Sequence, residues 1–495
     1  MGSESILKYL QNKTILVTGA TGFLAMGVQP DVKKIYLLLR ASDTKSARRR
    51  MHNENCIMKQ LTLAFSCTYL AGNSQHLFDN LLLLSKLKII GKELFSVLRE
   101  EWGMDFDSFI SEKVVALPGD ISSKNFGVKD FKLREEMCNE IQIIFNSAAT
   151  TKYDEIYDIS LGVNTFGVLH VMSFAKKCFK LEILVHVSTA YVCGEKEGLI
   201  FEDSSCIDDF NEEKNLAEEK LKELRAQDAS EEVITTTMKA FGIQRFRKHH
   251  SPLQTFKMAK LNGWANTYVF TKAMGETLLV RSNDNLPVVI IRPTIVTSTY
   301  KEPFPGWIQG LSINSYIFFP IWVVTGPLIL QLVVILGKFK CILADPVSVL
   351  DLDNSTFEIF QIPVDMVVNS IIVATVANAN RSACVIYHVG TSMRNPVTIS
   401  DFLNVVRKYF TRNPWLNKDR EPVKVRRMKI FKSTATFSMY MQIRFVLPLA
   451  GLKLVSKAFG QYFRNVYVDY NRKMTSVMRL IGLYKPFMLF MVYFW

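Results

Sequence analysis

Ile15-Leu16-Val17-Thr18-Gly19-Ala20-Thr21-Gly22-Phe23-Leu24-Ala25 decides the fold. A short apolar run follows Lys13 and passes directly into a glycine turn. Glycines let a backbone approach a pyrophosphate without Cβ clashes, and a helix starting after the turn supplies N–H donors. The G-x-x-G-x-x-A spacing of Gly19, Gly22 and Ala25 recurs by chance in many chains. Placed straight after the first strand, it reads as a dinucleotide loop, with Gly19, Thr21, Gly22, Phe23 and Leu24 against the cofactor.

A second apolar run, Ile35-Tyr36-Leu37-Leu38-Leu39, ends in Arg40. A carboxylate at this place would bind the ribose diol of NAD, whereas an arginine accommodates a 2′-phosphate, so the expected cofactor is NADPH. Further strands are expected at Val114 to Leu117, Ile141 to Phe145, Ile183 to Val187 and, as the last, Val288 to Ile291. Helical patterns such as Gly162 to Cys178 and Asn266 to Val280 alternate with them. Such alternation predicts an α/β fold, a Rossmann-type doubly wound parallel sheet covered on both faces. Residues 1–388 are expected to form this NADP-binding domain, with 202–260 a charged, helix-prone, solvated insertion. Residues 389–495 read as a smaller, mostly helical C-terminal domain. Residues 313–336 are atypically apolar. Their length admits a membrane span, but Pro320, Gly326, Pro327 and Gln331 argue for a buried or interfacial segment.

The chemistry-bearing residues follow in a fixed order. Pro118-Gly119-Asp120-Ile121 places Asp120 to reach an adenine amino group and Ile121 to lie against the ring. Phe145-Asn146-Ser147-Ala148-Ala149 ends a strand with small residues, Ala148 among them, that leave room for a cofactor. Val185-His186-Val187-Ser188-Thr189 ends another with two hydroxyls. Tyr268 and Lys272 are four apart, on one helix face. A nearby ammonium stabilises phenolate, so the Tyr268 phenol is expected to fall toward neutrality and serve as a proton donor. Arg292-Pro293-Thr294 closes the series, with Pro293 on the cofactor. A second Y-x-x-x-K, Tyr9 to Lys13, precedes the first strand and lacks this context. The seven histidines offer no metal set, and His186 reads as a core residue.

Net charge is +14, and residues 396–495 hold 18 Lys or Arg against 4 Asp or Glu. A basic surface attracts nucleic acid, anionic membrane or an anionic small molecule. No nucleic-acid motif is present, which favours a membrane surface or a phosphate-rich ligand. The eight cysteines are scattered without C-x-x-C or Cys/His spacing, which points to a reducing compartment without disulfides or structural zinc. The start, MGSESILKYLQNK, fits neither a signal peptide nor a myristoylation motif.

These motifs, with Pro303-Phe304-Pro305-Gly306-Trp307-Ile308-Gln309-Gly310, Asn266 to Glu276, Asp365 to Asn369 and Tyr387 to Gly390, resemble the plant alcohol-forming fatty acyl-CoA reductases. Those are extended short-chain dehydrogenases/reductases with a C-terminal male-sterility-type domain, and the resemblance covers most of the chain. It implies reduction of a fatty acyl-CoA by NADPH to an aldehyde and then to a primary alcohol. It makes Tyr268 the proton donor and Lys272 its partner and holder of the nicotinamide ribose. Thr189 takes the carbonyl-oxygen contact, with Ser188 as the second choice. It also implies peripheral membrane association at the cytosolic face of the endoplasmic reticulum, with the cytoplasm as the alternative.

Four stretches depart from that pattern. Met26 to Lys34 leaves little room for the helix after the glycine loop. Ile313 to Ile335 and Asn354 to Gln361 interrupt the later part, and Met488 to Trp495 is apolar. A variant transcript would explain all four. Two alternative functions follow: a catalytically impaired reductase of this kind, and another extended dehydrogenase acting on a lipid or sterol.

Overall fold

The computed structural model describes residues 3–19, 32–41, 43–44, 100–194, 196, 198–203, 210–248, 264, 266–307, 358–359, 361–391, 393–414, 434–458, 464–484 and 492–494. Seven strands form one sheet: β1 Thr14–Thr18, β2 Lys34–Leu39, β3 Val114–Pro118, β4 Ile143–Asn146, β5 Ile183–Val187, β6 Val288–Pro293 and β7 Cys384–Val389. Their spatial order is 3-2-1-4-5-6-7, and every adjacent pair is parallel. The order reverses between β1 and β4, and the crevice outside the carboxyl ends at such a reversal is where a doubly wound sheet binds its ligand.

Successive side chains point to opposite faces of a strand, so a strand buried on both sides must be apolar throughout. β1 shows this directly. Ile15 and Val17 join one core, with Phe106, Phe109, Val367 and Ile371. Leu16 joins the other, with Met137, Val171, Met172 and Leu279. The first core is covered by helices α1 Phe106–Lys113 and α6 Val364–Asn378. The second is covered by α2 Phe131–Glu140, α3 Gly167–Ala175 and α5 Thr267–Arg281.

Val288 to Ile291 is not the last strand, because β7 pairs beyond it from Cys384↔Val288 to Val389↔Pro293. The segment expected as one helix from Gly162 to Cys178 starts earlier, at Tyr157, and passes through a π-helical stretch, Leu161–Phe166, before α3. The charged insertion is only partly solvated. Its helices, α4 Phe210–Ala226 and Glu231–Lys248, pack Ala217, Leu224, Met238 and Phe246 against Tyr157 and the outer side of α5. Glu213 is buried there, accepting from Tyr157 Oη at 2.6 Å and from Arg245 Nε at 3.0 and 2.9 Å. Of the four departing stretches, most residues lie outside those described. So does all of 313–336. Val492–Phe494 pairs parallel with Gly198–Ile200.

Candidate active site at the carboxyl ends of the strands

The ends of β1 and β4 are stitched together. Thr18 Oγ1 donates to Asn146 Oδ1 at 2.6 Å and accepts from the Ala148 N–H at 3.3 Å. Ser147 Oγ donates to the Thr18 carbonyl at 2.8 Å. Gly19 follows at φ +69°, and a Cβ there would sit 2.6 Å from Ala148 N. Both constraints demand glycine. The turn therefore runs flat against the end of β4. Thr21, Gly22, Phe23 and Leu24 lie outside the described residues. Arg40 is exposed immediately after β2, the strand next to β1, on the same edge of the sheet.

Asp120 follows β3. Its Oδ1 accepts from Ser122 N and Ser122 Oγ, both at 2.8 Å, which fixes the carboxylate in a tight turn. Ile121 is 5% exposed, joins the core with Leu117 and Val168, and its Cδ1 packs where a Cβ on Gly167 would fall. Pro293 is buried at the end of β6, and Thr294 N donates to the Val389 carbonyl at 2.9 Å.

α5 delivers the central groups. Asn266 caps it, its side chain accepting from Val269 N at 2.9 Å. This is the helix start that an Asn before an apolar run encodes. Tyr268, Lys272 and Glu276 are spaced four apart and share one face. The half-buried Tyr268 ring stacks with Tyr153 at 6.1 Å between centroids. Lys272 is 1% exposed. Its Nζ donates to the Val187 carbonyl at 2.7 Å and lies 3.3 Å from His186 Nε2.

The expected coupling of Lys272 to Tyr268 is not what the geometry shows. No hydrogen bond among the described residues joins the two side chains, because the ammonium is turned onto β5. Burial pushes the Tyr268 phenol above its usual range. Burial also brings the Lys272 amine down to about 8, with Glu276 opposing the fall.

Ser188 and Thr189 leave β5 side by side and are both buried. Thr189 begins the short turn Ala190–Cys193, its Oγ1 accepting from Tyr191 N at 3.5 Å. Among the described residues, Ser188 Oγ is buried with no hydrogen-bond partner.

Three further residues hold this arrangement and were given no role from the sequence. Asn164, on the π-helical stretch, accepts from Thr150 N at 3.0 Å and donates to Thr150 O at 2.9 Å and Thr271 Oγ1 at 3.0 Å. Asn146 Nδ2 lies 3.0 Å from His186 Nδ1. Glu276 takes Arg292 Nε at 3.1 and 3.2 Å. The extension of the Tyr268/Lys272 spacing by one more step of four was the available signal for Glu276.

The family model described as male sterility protein, an NAD-binding family, matches residues 83–371, more than half of the chain. The alcohol-forming fatty acyl-CoA reductase of Simmondsia chinensis is 42% identical over 504 residues, covering 98% of this chain and 88% of that one. This chain belongs to the fatty acyl-CoA reductase family. Fatty acyl-CoA reductase 1 of Arabidopsis thaliana is likewise 42% identical, over 506 residues, with 98% and 88% covered. The terminal R domain from the myxalamid PKS-NRPS biosynthetic pathway shares the fold, with a TM-score of 0.50 at 16% identity over 98% of this chain and 84% of that one.

Two of the motifs that carry this fatty acyl-CoA reductase likeness meet in space. Asp365, at the start of α6, accepts from the backbone N–H of Tyr300 at 2.8 Å, Lys301 at 2.7 Å and Glu302 at 3.2 Å. It thereby holds the entry to Pro303-Phe304-Pro305-Gly306-Trp307. Burial alone would raise its carboxyl, but the three N–H donors outweigh burial and hold it below the usual carboxylate range.

The Tyr9/Lys13 pair, by contrast, sits at the opposite end of the sheet. Tyr9 Oη donates to Glu182 at 2.7 Å and Lys13 Nζ at 2.5 Å, so it is a structural clasp. Among the described residues no group of His, Cys, Asp and Glu could hold a metal.

Proposed function

We propose that this chain reduces the thioester of a long-chain fatty acyl-CoA to a primary alcohol by way of the aldehyde, using NADPH. The observation that carries the reading is that α5, which bears Tyr268, sets Lys272 Nζ on the Val187 carbonyl directly before Ser188 and Thr189, in a chain 42% identical to a reductase named for that reaction. A dinucleotide fits the residues present. Gly19 sets the turn against the end of β4 with no room for a Cβ, Asp120 would stand at the adenine end, Ala148 would line the floor, and among the described residues the buried Ser188 hydroxyl has no hydrogen-bond partner. Arg40, next to the ribose position, supports NADPH over NADH.

Bound there, the reduced nicotinamide supplies one hydride per step. Tyr268 acts at the carbonyl oxygen. Its raised pKa keeps the phenol protonated at neutral pH, the state a proton donor needs. Thr189 donates a hydrogen bond to the same oxygen, with the free Ser188 hydroxyl as a second donor. Lys272, fixed on the Val187 carbonyl, holds the cofactor ribose. In the first step hydride and proton convert the thioester to a hemithioacetal, which expels coenzyme A as the thiol and leaves an aldehyde. In the second they convert the aldehyde to the alcohol.

We place the enzyme at the cytosolic face of the endoplasmic reticulum membrane, as a peripheral protein. Support comes from Met439, Ile443, Leu447 and Leu454, exposed along the helical run 434–458. That run contains Arg444, Lys453 and Lys457 and no acidic residue. Apolar groups flanked by cations suit an anionic interface. No helix among the described residues is long and apolar enough to cross a membrane.

Expression in yeast, with lipids assayed for primary fatty alcohols and the membrane fraction assayed for the protein, tests the reading. Alcohols that appear with the native chain and fall about 100-fold or more with Tyr268→Phe are expected. Absence of alcohol from a stably accumulating native chain refutes it. An Arg40→Asp variant should raise the KM for NADPH far more than that for NADH.

A further inference from the structure

Register places Thr18, Asn146 and His186 side by side on β1, β4 and β5, as Thr18↔Asn146 and Asn146↔His186. All three are at most 1% exposed, as is Lys272. Their side chains make one unbroken row: Thr18 Oγ1 to Asn146 Oδ1 at 2.6 Å, Asn146 Nδ2 to His186 Nδ1 at 3.0 Å, and His186 Nε2 to Lys272 Nζ at 3.3 Å. The row runs from the residue before Gly19 to the amine expected on the ribose.

Each bond in the row has a direction. Thr18 donates to the Asn146 oxygen, so the Asn146 amide donates to His186 Nδ1, and the imidazole proton must be on Nε2. That proton faces Lys272, which can accept it only as a neutral amine. Turning the Asn146 amide over reverses every bond. Its NH₂ then donates to Thr18, its oxygen accepts from His186 Nδ1–H, and the bare Nε2 accepts from a Lys272 ammonium. A histidine's tautomer is set by the bond its other nitrogen makes, so the two arrangements match the two charge states of Lys272.

We propose that His186 and Asn146 are positioning residues that form a reversible hydrogen-bond switch, which follows the charge of Lys272 and reports it to the turn before Gly19. The proton lost on titration is Lys272's own. The imidazole keeps one proton throughout and changes only the nitrogen that carries it. Burial, with Lys272 beside it, keeps His186 from becoming a cation. Among the described residues, Lys272 is faced by His186 and the Val187 carbonyl from β5 and by Glu276 on its own helix, and Glu276 is itself paired with the Arg292 guanidinium from β6. An amine brought down to about 8 changes charge near working pH. The catalytic consequence of the switch rests on the reductase reading above, but the switch itself does not.

The test is nitrogen-15 NMR of the full chain labelled at histidine, followed from about pH 6.5 to 9.5. One of the seven imidazoles should stay neutral and change from the Nδ1–H to the Nε2–H tautomer with a midpoint near that of Lys272. Lys272→Arg, charged at every pH used, should lock it as Nδ1–H. Lys272→Met should abolish the transition. A buried imidazole whose tautomer is constant in the native chain, or unchanged by Lys272→Arg, overturns the proposal whether or not the chain makes alcohol. In the kinetic arm, His186→Leu removes an acceptor from the ammonium. The alkaline limb of kcat on acyl-CoA should then move about one pH unit toward acid and return in His186→Gln. Equal limbs in the two variants would overturn the catalytic part.

Discussion

Glu276 holds Arg292 through both carboxylate oxygens, 3.1 and 3.2 Å from Nε, and each side chain is 1% exposed. The pair ties α5 to the end of β6. Arg292 also donates to the Asp203 carbonyl at 2.7 Å and meets His388 Nε2 of β7 at 3.2 Å. Tyr268 and Lys272 therefore stand on a helix whose third turn is pinned to the sheet by a desolvated ion pair.

Breaking that pair from one side leaves a buried charge uncompensated. Glu276→Ala should cost about 3–5 kcal/mol of stability, seen as a lower midpoint in urea unfolding. A double variant, Glu276→Leu with Arg292→Met, should lose less than Glu276→Ala alone, because it removes both charges. Equal losses would mean that the pair contributes shape rather than charge.

The sheet was legible because its central strands are apolar on both faces. Ile183 to Val187 is bounded by charge before it and hydroxyls after it, and the strand occupies those residues. Cys384–Val389 escaped because an edge strand is half-covered. Five of its six residues are only partly buried, and Tyr387 and His388 interrupt the apolar run. The Tyr268/Lys272 pair was legible as a spacing, yet spacing fixes only a shared face. It does not tell where an ammonium points, and the Val187 carbonyl outcompetes the phenol for Lys272. The buried Glu213–Arg245 pair was hidden for a related reason. A charged helix reads as solvated unless its partner, 32 residues on, is known to close over it.

Gly19 offers a cleaner separation of cofactor binding from chemistry. A methyl there meets Ala148 N at 2.6 Å and forces an L-residue into φ +69°. The left-handed conformation alone costs roughly 1–2 kcal/mol, and relief of the contact must part the turn from β4. Gly19→Ala should weaken NADPH binding about tenfold or more, measured by quenching of tryptophan fluorescence, while Tyr268→Phe binds NADPH nearly as the native chain does. Native affinity in Gly19→Ala would place the pyrophosphate away from this turn.

Asp365 yields a prediction whose sign depends on pH. Three backbone N–H groups, of Tyr300, Lys301 and Glu302, hold its carboxyl below the usual range. A carboxyl depressed by folding stabilises fully above its unfolded pKa, about 3.9, and the contribution is lost as pH falls through the lower folded value. Asp365→Asn keeps one acceptor oxygen and removes the charge. At pH 7 it should cost about 1–2 kcal/mol, the worth of charge-assisted bonds screened by solvent. The cost should persist to about pH 4 and shrink in stronger acid, where the native carboxyl is itself protonated. Urea unfolding of both proteins at a series of pH values measures the gap directly. A gap that stays constant through the acid range would show that Asp365 acts on the Tyr300–Glu302 turn by shape alone. A gap that closes with acid would establish that its charge holds the turn leading into Pro303.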